Sequence, residues 1–526
     1  MTAFAILLFS AAVGLALARL TNIPSVPLLI VLGVLVGLGL PVEAEILQDV
    51  LILGVAVLVF TAGIELNPGR IRPHGRLAVQ VGLTQFLLLG VLGVGLGHLL
   101  GMGTEGALYL GLALTASSTL VVVRILQRRQ QLFEPLGRLL TGVLLLQDLL
   151  IILAIPVVTR LPEGAGSVAA GVAGTIAMLG VALAILRWVA PAAVRRLSVD
   201  EETLMLVVLS TLFIFLGGAH ALGLPLVTGA FLAGLALSGF PVHVLVRGQL
   251  NSITDFFHAL FFTALGAFLP FPSPQELMQA LLLAAGVVVL TPPLVALICE
   301  RAGLSARPSV SAGLLLAQTS EFSLVVALLG VSTGQLSPGL LTVITLVTVL
   351  TMAVTPLLAT DRVNWAIMRL HPSRRRRRTE DPPTDHILLL GAGRNGLTLL
   401  EMLVITPNRV VVVDDDPALI GRLSLQGIEA IRGDVSDTSV LQAAGAAEAR
   451  VVISTIRRVG DNRPVLEMVR ESEREVLVLV RTFDHNEADL VRSLGGHPVL
   501  YSEAAASEFM AWLDRGAAPD LDEDPI

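Results

Sequence analysis

An aspartate, Asp148, lies inside the apolar run GVLLLQDLLIILAIP from Gly142 to Pro156. An ionisable side chain in such a run is costly and rare, and by default it marks a functional site. One carboxylate in a partly dehydrated cavity can hold a proton or a desolvated cation but not both, which couples their movements by competition. Gln147, next on the chain, can offer an amide oxygen to a cation or orient the acid. The alternative role for Asp148 is a structural ion pair with a buried arginine such as Arg124. Two further acids fall in apolar segments. Glu321 can neutralise local charge or balance helix dipoles, or it can be structural. Glu65 stands at the end of its run, where it can snorkel or pair with Arg70. His98 and His220 lie near run ends and read as interfacial.

The elements that position these acids are membrane helices. The chain has 526 residues, 54% of them hydrophobic and 15% charged, with a mean hydropathy of +0.81. A soluble domain carries roughly 25% charged residues. Apolar runs of crossing length, separated by Gly, Pro and charges, number about thirteen. Asp148 falls in the run 139–159, and two other runs, 104–123 and 309–331, are interrupted by small polar residues. The first run lacks a basic n-region and is followed by more apolar segments, so it reads as a retained helix and not a signal peptide. The chain contains no lysine. Arg19, Arg70, Arg72, Arg76, Arg128, Arg129, Arg195, Arg196, Arg247, Arg301 and Arg307 fall on alternate loops. The opposite loops carry Glu43, Glu45, Glu105 and Arg160. With the arginine run Arg374 to Arg378 cytoplasmic, this alternation puts the N-terminus outside. The single cysteine, Cys299, rules out an internal disulfide framework.

Residues 1–370 therefore read as a membrane domain and 371–384 as a basic, polar linker. Residues 385–515 form a soluble α/β domain, and 516–526 are an acidic tail. In the soluble domain HILLL (386–390) is a buried strand, followed by Gly391-Ala392-Gly393-Arg394-Asn395-Gly396 and a helix; a second strand, Val410 to Val413, ends in Asp414. A GxGxxG between strand and helix, with an acid about 20 residues on, is the context that dinucleotide binding requires. The glycines admit a pyrophosphate to the helix N-terminus, and Asp414 can bind a ribose. That acid disfavours a 2′-phosphate, so NAD(H), AMP or ATP is the expected ligand. Strands near 430, 450–454, 476–480 and 499 complete a doubly wound, Rossmann-like sheet.

This half is similar to the TrkA-N, or RCK N-terminal, regulatory domain through HILLLGAGRNG, VVVVDDDP and IRGDVSD. That resemblance implies that Asp434 lies near the adenosine. The membrane half resembles the monovalent cation:proton antiporter-2 family, Kef-type branch. The matching stretches, in order, are LGVAVLVFTAGIELNP (53–68), ALTASSTLVVVRILQRR (113–129), GVLLLQD (142–148), TGAFLAGLALS (228–238) and LLLAQTSEF (314–322).

The resemblance implies inverted repeats with two crossing, broken helices whose freed backbone groups serve the ion. An internal echo fits this, since Ser118-Thr119-Leu120-Val121-Val122 matches Phe322-Ser323-Leu324-Val325-Val326. Ser117, Ser118 and Thr119 are then expected to face the ion with Asp148, or else to serve as helix packing contacts. Electrogenic relatives carry two adjacent acids where this chain has Gln147-Asp148, so electroneutral exchange is expected. Many relatives place a lysine in the helix matching 277–299, which this chain lacks. The acidic motif of glutathione-gated members is not evident in His243 to Asp255.

The expected protein is a multi-pass, inner-membrane potassium or sodium/proton antiporter, not an enzyme. An adenine nucleotide bound to its cytoplasmic domain biases transport, and the resemblance adds homodimerisation. Nucleic acid is not an expected partner. The alternatives are a nucleotide-gated cation channel, against which no TVGYG-like filter is present, and a membrane-bound NAD-dependent oxidoreductase. The latter lacks a cysteine or histidine cluster for a redox centre.

Overall fold

The computed structural model describes residues 2–21, 23–39, 44–66, 75–129, 131–190, 201–239, 242–370, 382–456, 459–472 and 474–514. Arg70, Arg72, Arg195, Arg196 and the run Arg374 to Arg378 lie outside them, as do most of the expected linker and all of the acidic tail. The chain divides into two compact units, residues 1–302 with 308–364, and 303–307 with 365–526.

The first unit is helical. Eight of its described helices are long and apolar enough to cross a membrane, among them Pro135–Arg160, which carries Asp148. Shorter apolar helices such as Ser25–Gly39 and Leu226–Ala236 pack between them. One four-part pattern occurs twice. Helix Gly75–Leu99 is followed by the half-helices Thr104–Ala113 and Thr119–Arg128 and then by Pro135–Arg160. Helix Pro274–Arg301 is followed by the half-helices Ala306–Leu315 and Glu321–Ser332 and then by Pro338–Leu358. In each repeat the long helix touches the first half-helix through its backbone. A Cβ on Gly111 would meet the Gly90 carbonyl oxygen at 2.9 Å, and one on Gly313 would meet that of Pro292 at 2.4 Å.

The breaks fall at residues 114–118 and 316–320, inside the two interrupted runs. Each break ends in a serine N-cap. Ser118 Oγ accepts from Val121 N at 3.3 Å, and Ser320 Oγ accepts from Phe322 N at 3.2 Å. A hydroxyl there satisfies one of the donors that a helix start leaves free. The caps also correct the register of the internal echo. The pairing of Ser118 with Phe322 is two residues off, because Ser118 corresponds to the cap Ser320 and Thr119 to Glu321.

The second unit is a six-stranded parallel sheet ordered β3-β2-β1-β4-β5-β6. Its strands are Ile387–Leu390 (β1), Val410–Asp414 (β2), Glu429–Arg432 (β3), Val451–Ser454 (β4), Leu477–Thr482 (β5) and His497–Leu500 (β6). β1 pairs in register with β2, Leu390 opposite Val413, and with β4, Leu390 opposite Ser454. The side chains of β1 are all buried, and they alternate between two cores: Leu388 and Leu390 in one, Ile387 and Leu389 in the other. Burial on both faces explains why HILLL is a continuous apolar run and not an alternating one. The chain order reverses between β1 and β4, and open α/β sheets bind ligands beside such a point.

Candidate functional site

Helix Pro135–Arg160 buries Gln147 and Asp148 side by side against the first break. Thr119 Oγ1 donates to Asp148 Oδ2 at 3.0 Å, and Ser117 N donates to Gln147 Oε1 at 3.1 Å. Among the described residues, Asp148 Oδ1 and Gln147 Nε2 have no hydrogen-bond partner. Thr119 is the first residue of its half-helix, so the acid stands at the positive end of a helix dipole. Arg124 is exposed and does not pair with Asp148. The reason is helical phase: Arg124 lies five residues beyond Thr119 on the same half-helix, facing away.

The two breaks hold each other. Ser117 Oγ donates to the Leu316 carbonyl at 2.8 Å, and Ser323 Oγ donates to the Ala113 carbonyl. Glu321 heads the second half-helix, 5% exposed, near the Ser118 side chain; among the described residues its Oε2 has no hydrogen-bond partner. Glu65 lies near enough to act electrostatically on both Asp148 and Glu321, so it belongs to this neighbourhood. Its expected pairing with Arg70 falls outside the described residues.

Other participants carry no signal in single-sequence reasoning. Gln85, fully buried, donates through Nε2 to Ser117 Oγ at 3.4 Å, and its Oε1 has no partner among the described residues. Helix Pro338–Leu358 holds the second break with threonines: Thr319 Oγ1 donates to Thr348 Oγ1 at 3.0 Å and Thr319 N to Thr351 Oγ1 at 3.2 Å. Helix Pro135–Arg160 presents a carboxylate to its break, whereas helix Pro338–Leu358 presents neutral hydroxyls. The asymmetry leaves one acid on this pair of helices. His98 and His220 are exposed and take no part.

In the second unit the glycine-rich turn has the shape its sequence requires. Gly391 has φ +83, a left-handed conformation that glycine adopts without strain. Gly393 precedes helix Arg394–Val404 with open space where a Cβ would lie, and a Cβ on Gly396 would stand 2.2 Å from the Gly391 carbonyl oxygen. The first helical N–H groups therefore face an open approach, as a phosphate needs. Asn395 is exposed beside them, and the Arg394 side chain lies outside the described residues.

Asp414 does more than wait for a ribose. Its Oδ2 accepts from Ala392 N at 2.6 Å and its Oδ1 from Asp416 N at 2.9 Å, which ties the turn to the end of β2. Asp434 accepts from Ser436 N at 2.9 Å, holding the turn after β3. Desolvation, with the Asp414 and Asp434 carboxylates near, pushes Asp415 up to about 6, although its side chain keeps solvent contact. Crowded carboxylates at this strand end are what a hydroxyl-rich ribose, a hydrogen-bond donor, would relieve.

Comparison with known proteins places both units. Residues 5–360 match the transmembrane sodium/hydrogen exchanger model, and residues 387–502 match the TrkA-N domain. The chain belongs to the sodium/hydrogen exchanger family. Among curated relatives, the glutathione-regulated potassium-efflux system protein KefC of Escherichia coli (strain K12) is 28% identical over 474 residues, covering 87% of this chain and 75% of KefC. KefC of Salmonella heidelberg (strain SL476) is 28% identical over 473 residues, with the same coverage. The sodium proton antiporter MjNhaP1 of Methanocaldococcus jannaschii covers 70% of this chain and 98% of its own, with a TM-score of 0.57 and 16% identity, a likeness of fold. This is a Kef-type cation:proton antiporter with a TrkA-N domain, and the channel and oxidoreductase readings are not favoured.

Proposed function

We propose that a proton and a desolvated monovalent cation, potassium or sodium, take turns on Asp148, so that one positive charge moves each way. The observation that carries this reading is a buried carboxylate with one oxygen held by Thr119 and the other unpartnered, at the crossing of two broken helices. Gln147, Ser117 and Ser118 shape its surroundings through the bonds described above, and Gln85 Oε1 offers a further oxygen. Glu321 compensates charge at the second half-helix. With no second acid beside Asp148, binding one cation requires releasing one proton, which gives electroneutral exchange.

An adenine nucleotide is the proposed regulator, seated on Gly391, Gly393 and Gly396 with its ribose at Asp414. Regulation means that the nucleotide binds one transport state better than another; equal affinity for both would shift nothing. Each broken pair counts as one crossing in the thirteen-span topology, with the N-terminus outside and the TrkA-N domain cytoplasmic, and the assembly is a homodimer.

Thr119→Val tests the frame without removing the acid. Valine keeps the shape but cannot donate to the carboxylate, and a hydrogen bond to a charged group contributes about 1.5–3 kcal/mol. Exchange in proteoliposomes should need about tenfold more cation for half-maximal rate. An unchanged cation dependence would show that Thr119 does not act on the ion-loaded carboxylate.

A further inference from the structure

Helix Thr119–Arg128 carries two arginines that the ion site does not use. At a rise of about 1.5 Å per residue, Arg128 lies about 13.5 Å from Thr119. Half the hydrocarbon thickness of a bilayer is about 15 Å. With Thr119 at the buried acid, Arg128 reaches headgroup level, and Arg124 stands one turn below it.

Both arginines border one cavity of about 40 Å³, together with Pro24, Ser25, Leu120 and Pro356. No acidic residue lines it. Among the described residues neither Arg124 nor Arg128 has a hydrogen bond or ion pair, whereas the adjacent Arg129 donates to the Ala359 carbonyl. Two like charges four residues apart on a helix repel each other, and an anion between them removes that cost. Ser25 begins helix Ser25–Gly39, whose first N–H groups have no intrahelical acceptor. The remaining wall is apolar, which suits a ligand that is charged at one end and greasy at the other.

We propose that this cavity binds the phosphate of an anionic phospholipid headgroup through Arg124, Arg128 and the Ser25 end of its helix. Basic pockets between membrane helices recognise such headgroups by the same chemistry. The bound phosphate bridges the half-helix that holds Asp148 and helix Ser25–Gly39. A soluble phosphate would use the arginines equally well but gains nothing from the apolar wall.

Full-length protein in a neutral detergent, titrated with phosphatidylglycerol or phosphatidylcholine and read by native mass spectrometry, tests the site. Wild type should retain phosphatidylglycerol in preference. Arg124→Gln/Arg128→Gln should weaken that retention about 30-fold. Arg124→Lys/Arg128→Lys should keep most of it, which separates charge from folding. Arg138→Gln, an exposed arginine elsewhere on the membrane unit, should leave it unchanged. Equal retention by the double Gln variant, or an equal loss in Arg138→Gln, would overturn the proposal. So would binding of inorganic phosphate that the double Gln variant abolishes while lipid retention stays intact.

Discussion

Asp148→Asn should reduce cation/proton exchange in proteoliposomes by about two orders of magnitude or more while leaving the protein folded. Asparagine has nearly the same volume, and its amide oxygen can still accept from Thr119, so the first break keeps its contact with helix Pro135–Arg160. It cannot bind and release a proton, and it offers a cation no charge. Nothing described beside Asp148 can take over. Gln147 is neutral and already committed through Oε1, and helix Pro338–Leu358 offers the second break only threonine hydroxyls. Glu321 is itself buried at the head of the other half-helix. Exchange within about twofold of wild type would place the coupling acid elsewhere, with Glu321 and Glu65 the next candidates.

Gly396→Ala should abolish adenine-nucleotide binding, measured by calorimetry on the full-length protein with NADH, AMP and ATP in turn. The added methyl would stand 2.2 Å from the Gly391 carbonyl oxygen, and backbone cannot rotate out of the way as a side chain can. The helix must then shift from β1 and β4, which costs about 1–3 kcal/mol or more in overpacking and moves the N–H groups away from the phosphates. A Gly393→Ala variant, where the added Cβ meets nothing, separates this effect. It should leave unfolding unchanged and weaken only the approach of ligand to backbone. Wild-type affinity in both variants would mean that the turn does not hold the nucleotide.

Much of the candidate site could be read from residues one at a time. Asp148 was conspicuous because charge in an apolar run is costly, and the glycine turn because its spacing sits between a strand and a helix followed by an acid. Contacts between distant segments were harder. Gln85 and the threonines at 348 and 351 look like ordinary polar residues on long helices, and only the crossing of the two breaks brings Gln85 to Ser117 and Thr348 to Thr319. The internal echo was visible, but its register was set by the Leu-Val-Val triplets, whereas the structure aligns the serine caps. Arg124 looked like a partner for Asp148 because both lie in the membrane region; helical phase turns it away. Spacing points Asp414 at a ribose, whereas its engagement with Ala392 and Asp416 depends on loop geometry that spacing does not encode.

The central claim is that proton and cation compete for one carboxylate. Proton release on cation binding tests it directly, with purified protein in weakly buffered solution titrated with potassium or sodium at several pH values. One proton should leave per cation bound, and in the range where Asp148 is protonated the apparent cation affinity should fall about tenfold for each unit of falling pH. Cation binding that releases no proton and does not change with pH would contradict the claim.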